Sequence, residues 1–417
     1  MNADGGAISF ASGVVPASVR REGFMDSRLV WLALAAFVGS TEGGLINGLL
    51  PGIGADMGVS TGQTGQVVLG YSLGYAIGTP VVSVLLGGVG RRRILAGGML
   101  MLSLCAVLMA VAPYFHWAVG ARTLLALGAG TYTATALSVA AQLAPPGQRG
   151  RALQVVTMGQ SLATLVGVPL GAFIATQFSW RIDYWAIAAM ALVASVALYR
   201  RLPTGMHGDT QSMADRIRVL GNPGVGAALL TMVLFFLATY PPLIFVGALL
   251  TELEIDLKLL PIVLLLNGLG AMGASVTAGR FADRLGARRA VTLSALMLIG
   301  SLGLMVALPH LPETWRLPAT LVAFALQGYI GWAFWIAHCS EMARLAPSSV
   351  PVAMSLELTG LSIGMAIAAG FGGLLLDAWG INRLCMLAIP VAGAAVAVWL
   401  LLPPRMAGPE TAASPLK

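Results

Sequence analysis

Charge is scarce in this sequence. Asp, Glu, Lys and Arg together make up 10% of its 417 residues, while 57% are hydrophobic, and the mean hydropathy is +0.84. A soluble domain carries about 25% charged residues, so that class is excluded. Cysteine is almost as rare. Cys105, Cys339 and Cys385 have neither metal-ligand nor redox spacing and read as packing residues. No Gly-rich phosphate loop, HExxH or nucleophile elbow occurs, which removes an ATP-driven pump and an intramembrane protease. No metal, cofactor or catalytic residue is expected, and the chain does not read as an enzyme.

What is present is apolar length. Twelve windows, about 29–50, 64–86, 94–113, 117–142, 152–176, 183–200, 226–250, 259–279, 289–308, 318–341, 351–376 and 384–402, are each long enough to cross about 30 Å of hydrocarbon. The expected fold is an all-α membrane protein. Residues 1–28 are polar, carry Arg20, Arg21 and Arg28, and read as a cytosolic tail, not a signal peptide. With the N-terminus in the cytosol, only Arg181, Lys258, Arg316 and Arg383 of the 24 cations fall outside, with Arg122 inside a helix. This bias places both termini in the cytosol and the chain in a plasma (inner) membrane. It also accounts for the +7 net charge without nucleic acid, because the cations are spread over short loops beside an anionic leaflet.

The chain divides in two. Residues 201–223 form the long interior polar stretch, a cytosolic linker between bundles at 29–200 and 224–403, with a tail at 404–417. Gly159, Ala163, Gly167 and Gly171 recur every fourth residue, and so do Gly360, Gly364, Ala368 and Gly372, at an offset of 201. Small residues at this spacing let helix backbones approach closely. Repeated in both halves, they imply two pseudo-symmetric six-helix bundles, a route to alternating access around a midplane site.

The stretch "GRFADRLGARR" (Gly279–Arg289) resembles the loop between helices eight and nine of the major facilitator superfamily. "STEGGLINGLLPGIGADMGVS" (Ser40–Ser60), "GVPLGAFIATQFSWR" (Gly167–Arg181, with Pro169) and Arg122 with Gly128 and Gly130 resemble its drug/proton antiporter branch. Bacterial sugar-efflux, arabinose-efflux-like permeases are the nearest in pattern. The resemblance implies a cytosolic gate at Gly279, Asp283, Arg284, Gly286, Arg288 and Arg289, with Gly90, Arg91 and Arg92 at the matching loop of the first half, which lacks the acidic residue. Pseudo-symmetry sets Asp283 against Arg149 and Arg151 at the start of helix five, a latch for the outward-open state.

Within the membrane few residues can ionise. A central carboxylate costs about 2.5–3.5 kcal/mol on insertion scales, and burial moves carboxylate proton exchange toward physiological pH. Glu42, beside Gly39, Gly43 and Gly44, corresponds to the acidic residue of that branch's first helix and is assigned proton handling; a neutral carboxyl bonded to a neighbouring helix is the alternative. Arg122 either tunes the charge of Glu42 or snorkels to the outer headgroups. On helix ten Gln327, Gly331, Phe334, His338 and Glu341 share a face, making His338 a second titrating candidate. Glu357, on the contact face of helix eleven with Gly360 and Gly364, reads as a gate or an interhelical bond, with a substrate site as the alternative.

A cavity for a small neutral or amphipathic solute is expected from Asn47, Tyr71, Tyr75, Tyr132, Thr157, Gln160, Ser161, Thr164, Asn267, Gln327, Trp332 and Trp335. About half of the hydroxyls are expected to bond their own helix instead. "TYPPLIF" (Thr239–Phe245) predicts a kink in helix seven. The function these features imply is proton-coupled export of a sugar or drug-like compound by a monomer. A proton-coupled uptake symporter and a non-transporting receptor or assembly protein are the competing readings.

Overall fold

The computed structural model describes residues 26–86, 88–144, 148–206 and 218–401. The N-terminal tail before Asp26, most of the linker, the C-terminal tail and the side chain of Asp283 lie outside the described residues. Six helices make the first half: α1 (Arg28–Met57), α2 (Thr61–Leu85), α3 (Arg91–Ala110), α4 (Phe115–Leu143), α5 (Arg149–Gln177) and α6 (Trp180–Arg201). The second half has α7 in two pieces (Pro223–Ile244 and Val246–Glu252), α8 (Leu260–Leu285), α9 (Ala287–Ala307), α10 (Glu313–Leu345), α11 (Val350–Trp379) and α12 (Ile381–Leu401). Eleven are long and apolar enough among the described residues to cross a membrane. The twelfth, α2, has 25 residues and no formal charge.

Most helices overrun their apolar windows. α1 continues through Pro51 to Met57, where Gly58 adopts a left-handed conformation (φ 64°) and its N–H closes the helix on Gly54 O. A single residue, Gly286 at φ 83°, joins α8 to α9; a side chain there would be strained. Gly90, its counterpart by sequence, sits at φ −57° and precedes α3 without that turn. The expected bend in α7 is found at Phe245, just after Pro241 and Pro242, which have no N–H for the preceding turn.

Packing follows the repeat. α1 lies on α5 and α6, α2 on α4, and α3 on α4 and α6; adding six to every number gives the contacts of the second half. The halves meet through α2 with α11 and α5 with α8, again related by the same rule. The small-residue faces have the role expected of them. A Cβ on Gly159 would collide with Ala33 O of α1, and Gly167 and Gly171 lie against Thr41 and Leu45 further along the same helix. On α11, Gly364 would place a Cβ 2.7 Å from Val233 O of α7, while Gly360 and Gly372 meet Met232 and Phe245 at ordinary contact distance. In α5 the turn Ala163–Gly167, just before Pro169, is widened, with Val168 N–H donating to Ala163 O five residues back.

Candidate transport cavity and buried ion pairs

Between the halves lies a cavity of about 390 Å³, within the size range of small-molecule sites. α1, α2, α4 and α5 wall it on one side and α7, α8, α10 and α11 on the other. Its lining mixes Asn47, Tyr71, Tyr75, Gln160, Thr164, Asn267, Trp332 and Trp335 with apolar groups such as Ile46, Leu243 and Met365. Arg122 is the one charged side chain among the described lining residues.

Arg122 stands two turns into α4 and is completely buried. Its Nη1 donates to Glu42 Oε1 and to the Tyr184 hydroxyl, its Nη2 donates to Glu42 O at 3.3 Å, and its Cζ lies 4.7 Å from the centre of the Tyr71 ring. This corrects the snorkelling alternative, because the guanidinium is drawn inward to the carboxylate. Glu42 is equally buried, and its Oε2 has no hydrogen-bond partner among the described residues. Three helices, α1, α4 and α6, are joined at this one cation.

A second pair occupies the other half. His338 Nδ1 of α10 lies 2.8 Å from Glu357 Oε1 of α11, and His338 Nε2 lies 3.1 Å from Ala228 O of α7. Both side chains are 0% exposed. Glu357 therefore forms an interhelical bond within one bundle, one of the two roles expected of it. Phe334 stacks on the imidazole, and Trp399 of α12 covers it at 5.4 Å between ring centres.

On the side opposite the described chain ends Asp26 and Leu401, here the distal side with the other the terminal side, the halves are in contact. The carboxylate of Asp377, in the last turn of α11, accepts from Ser60 Oγ and from Gly62 N–H at the start of α2. Gly62 and Gly373 touch backbone to backbone, and Gly247 packs on Pro51.

Three expected cavity residues bond elsewhere, and a fourth, Ser161, is not among the cavity's lining residues. Tyr132 donates its hydroxyl to Leu32 O and ties α4 to α1. Gln327 donates to Thr239 O at 2.6 Å and ties α10 to α7. Thr157 bonds back to Leu153 O and Gln154 O, and Ser161 beside it is outside the lining set. Thr164 lines the cavity although its hydroxyl donates to Gln160 O. Among the gate residues, Arg91 N–H donates to Met206 O, Arg92 lies over Tyr199, and Arg288 reaches the last carbonyls of α12. Arg149 and Arg151 are exposed in the first turn of α5.

Sequence reasoning passed over Tyr184 and Asp183. Both fall at the start of the sixth apolar window, 183–200. Asp183 is 3% exposed in the first turn of α6, and its Oδ2 lacks a partner among the described residues. A carboxylate in a helix's first turn is favoured by the helix dipole, a signal that the sequence did contain.

Two six-helix bundles with matching helix contacts, enclosing between them a largely apolar cavity with a few polar groups, have the architecture of a membrane transporter. The chain belongs to the Major Facilitator Superfamily, whose sequence profile matches residues 32–316 and 227–416. The chloramphenicol resistance protein of Streptomyces lividans is 29% identical over 347 residues, 82% of this chain and 87% of that protein. The inner membrane transport protein YdhP of Escherichia coli (strain K12) is 28% identical over 376 residues, 90% and 94% of the two chains. The crystal structure of the nucleoside transporter NupG superposes with a TM-score of 0.76 at 10% identity, covering 90% of this chain and 100% of that one. That likeness shows the fold.

Proposed function

We propose that this protein is a proton-coupled exporter that moves a small, neutral or amphipathic organic solute out of the cell, with both termini in the cytosol and the chain in the inner membrane. The observation that carries the reading is the buried Glu42–Arg122 pair, whose cation lines the cavity. With Glu42 ionised the pair is neutral overall. When Glu42 takes up a proton, Arg122 becomes an uncompensated cation on the cavity wall, a costly state in low dielectric that favours a different packing of α1, α4 and α6. A solute that binds the packing held by the intact pair is then released when Glu42 takes up a proton, and this mutual exclusion is the linkage antiport needs.

The wall offers the amides of Asn47 and Gln160, the hydroxyl of Tyr240 and the indole of Trp335 among apolar side chains. A drug-like solute with a few polar groups suits this lining, and the chloramphenicol resistance relative favours it over a sugar. The latch between Asp283 and Arg149 or Arg151 belongs to the same proposal as the contact that closes the terminal side. The test is transport of chloramphenicol, arabinose and uridine in proteoliposomes with an imposed pH gradient, for wild type and Glu42→Gln. Gradient-driven movement of one probe that Glu42→Gln abolishes is expected. Equal transport by both removes Glu42 from coupling, and movement down the proton gradient in the same direction as protons makes the carrier a symporter.

A further inference from the structure

His338 Nε2 lies against a backbone carbonyl, Ala228 O, which can only accept, so Nε2 carries a hydrogen. The contact of Nδ1 with Glu357 Oε1 then needs one more proton, held either as imidazolium donating to carboxylate or as carboxylic acid donating to Nδ1. Without it two lone pairs would face each other at 2.8 Å. The pair is thus neutral with one shared proton, and Glu357 Oε2 has no partner among the described residues to hold a charge.

The surroundings leave this proton little competition. α7 presents the Ala228 carbonyl, and α12 presents the Trp399 indole, which donates to Arg288 O on α9. On α10 the titratable neighbours are Cys339 and, one turn further along the His338 face, Glu341, 7% exposed and bonded to the exposed Arg344 at 2.9 Å. That turn leads from the pair to the terminal surface. On the other side, Trp335 and Leu358, within a turn of His338 and Glu357, line the cavity.

We propose that His338 and Glu357 form a second proton-holding site, distinct from Glu42–Arg122, whose shared proton ties α10 to α11 in the distally closed state and passes to water at the terminal side, by way of Glu341, when the two helices shift. The electron pair of the broken bond stays on the Glu357 oxygen if an O–H breaks and on His338 Nδ1 if an N–H breaks; either way water takes the proton and leaves a carboxylate beside a neutral imidazole, with no other reactant required. The site rests on the reading that protons drive this carrier, and it adds one coupled proton to the cycle.

The test follows the distance between spin labels at the terminal-side ends of the two halves, by pulsed electron resonance from pH 5 to 9, on the purified full chain in lipid nanodiscs. One released proton changes the ratio of states by up to about tenfold per pH unit. Wild type should show two pH-dependent steps. Glu357→Gln, whose amide N–H donates to Nδ1 in place of the acid proton, should lose one step and keep the other, which Glu42→Gln removes. A Glu357→Gln profile superimposable on wild type overturns the second site. An unchanged Glu42→Gln profile overturns the first site alone, so the two failures are distinguishable. Should Glu357→Gln not fold, the double variant His338→Gln with Glu357→Gln, in which one amide donates to the other and no proton is left to release, takes its place. A ¹⁵N-histidine spectrum in which His338 titrates independently of Glu357 also overturns the pairing.

Discussion

Asp377 caps a helix of the opposite half: its Oδ1 accepts the Gly62 N–H of α2 at 2.9 Å. A carboxylate at the end of its own helix, α11, is disfavoured by that helix's dipole and favoured by the dipole of α2. Its net contribution therefore depends on the halves being closed on the distal side, where Ser60 also donates to it.

Replacing Asp377 by Asn should move the population away from the distally closed state. An exposed helix-end charge is worth about 0.3–1 kcal/mol, so a two- to fivefold change in the state ratio is expected, read by spin-label distances at the distal helix ends. Asp283→Asn should act in the opposite direction if the proposed latch to Arg149 or Arg151 closes the other side. If both substitutions shift the ratio the same way, the two-latch scheme is wrong.

The two halves should tolerate the same substitution differently. Gly159→Ala drives a methyl into Ala33 O, while Gly360→Ala meets Met232 Cγ at 3.4 Å. Overpacking costs about 1–3 kcal/mol, so the first variant should melt several degrees lower in detergent. The second should stay near wild type. Equal melting temperatures would show that α1 and α5 are less rigidly apposed than their contact implies.

Arg122 reaches the Glu42 carboxylate, the Glu42 carbonyl and the Tyr184 hydroxyl through two separate nitrogens of a planar fork, a spread that the single nitrogen of an ammonium cannot reproduce. Arg122→Gln leaves Glu42 buried without a counter-ion, and breaking such a pair costs about 3–5 kcal/mol. The double variant Glu42→Gln with Arg122→Gln should recover much of that loss in thermal stability without regaining transport. Additive losses in this double-mutant cycle would argue against direct coupling.

Gly43 lines the cavity and would set a Cβ at 3.4 Å from the Tyr71 hydroxyl, which an alanine methyl can accommodate. A leucine there must extend into the cavity. Gly43→Leu should abolish gradient-driven transport of whichever probe wild type moves, and Gly43→Ala should retain most of it. Undiminished transport by the leucine variant would place the solute path elsewhere.

Much of this was legible before any coordinates. Twelve spans follow from apolar run length, and the two-bundle plan follows from small residues repeated at one offset. Glu42 and Arg122 stood out because charge is rare at depth, and depth alone makes a lone carboxylate look for a partner. The partnerships were not legible. His338 and Glu357 are 19 residues apart on two helices, and spacing along one helix says nothing of which faces of two helices meet. Tyr132 and Gln327 misled for a related reason: a polar side chain on an inward face can satisfy a neighbouring helix's carbonyl as readily as it can line a cavity.

The widened turn of α5 explains how Gly159, Gly167 and Gly171 all remain on α1. In a regular helix of 3.6 residues per turn, positions twelve apart point about 120° away from one another. One additional residue in the turn takes up about 100° of that drift, and the contacts advance along α1 from Ala33 to Thr41 to Leu45 in a single register. α11 runs without such a turn from Val350 to Trp379, and there the partner helix α7 breaks at Phe245, beside Gly372. The two halves count their residues alike but differ in phase: one corrects the drift in the helix that carries the glycines, the other in the helix that receives them.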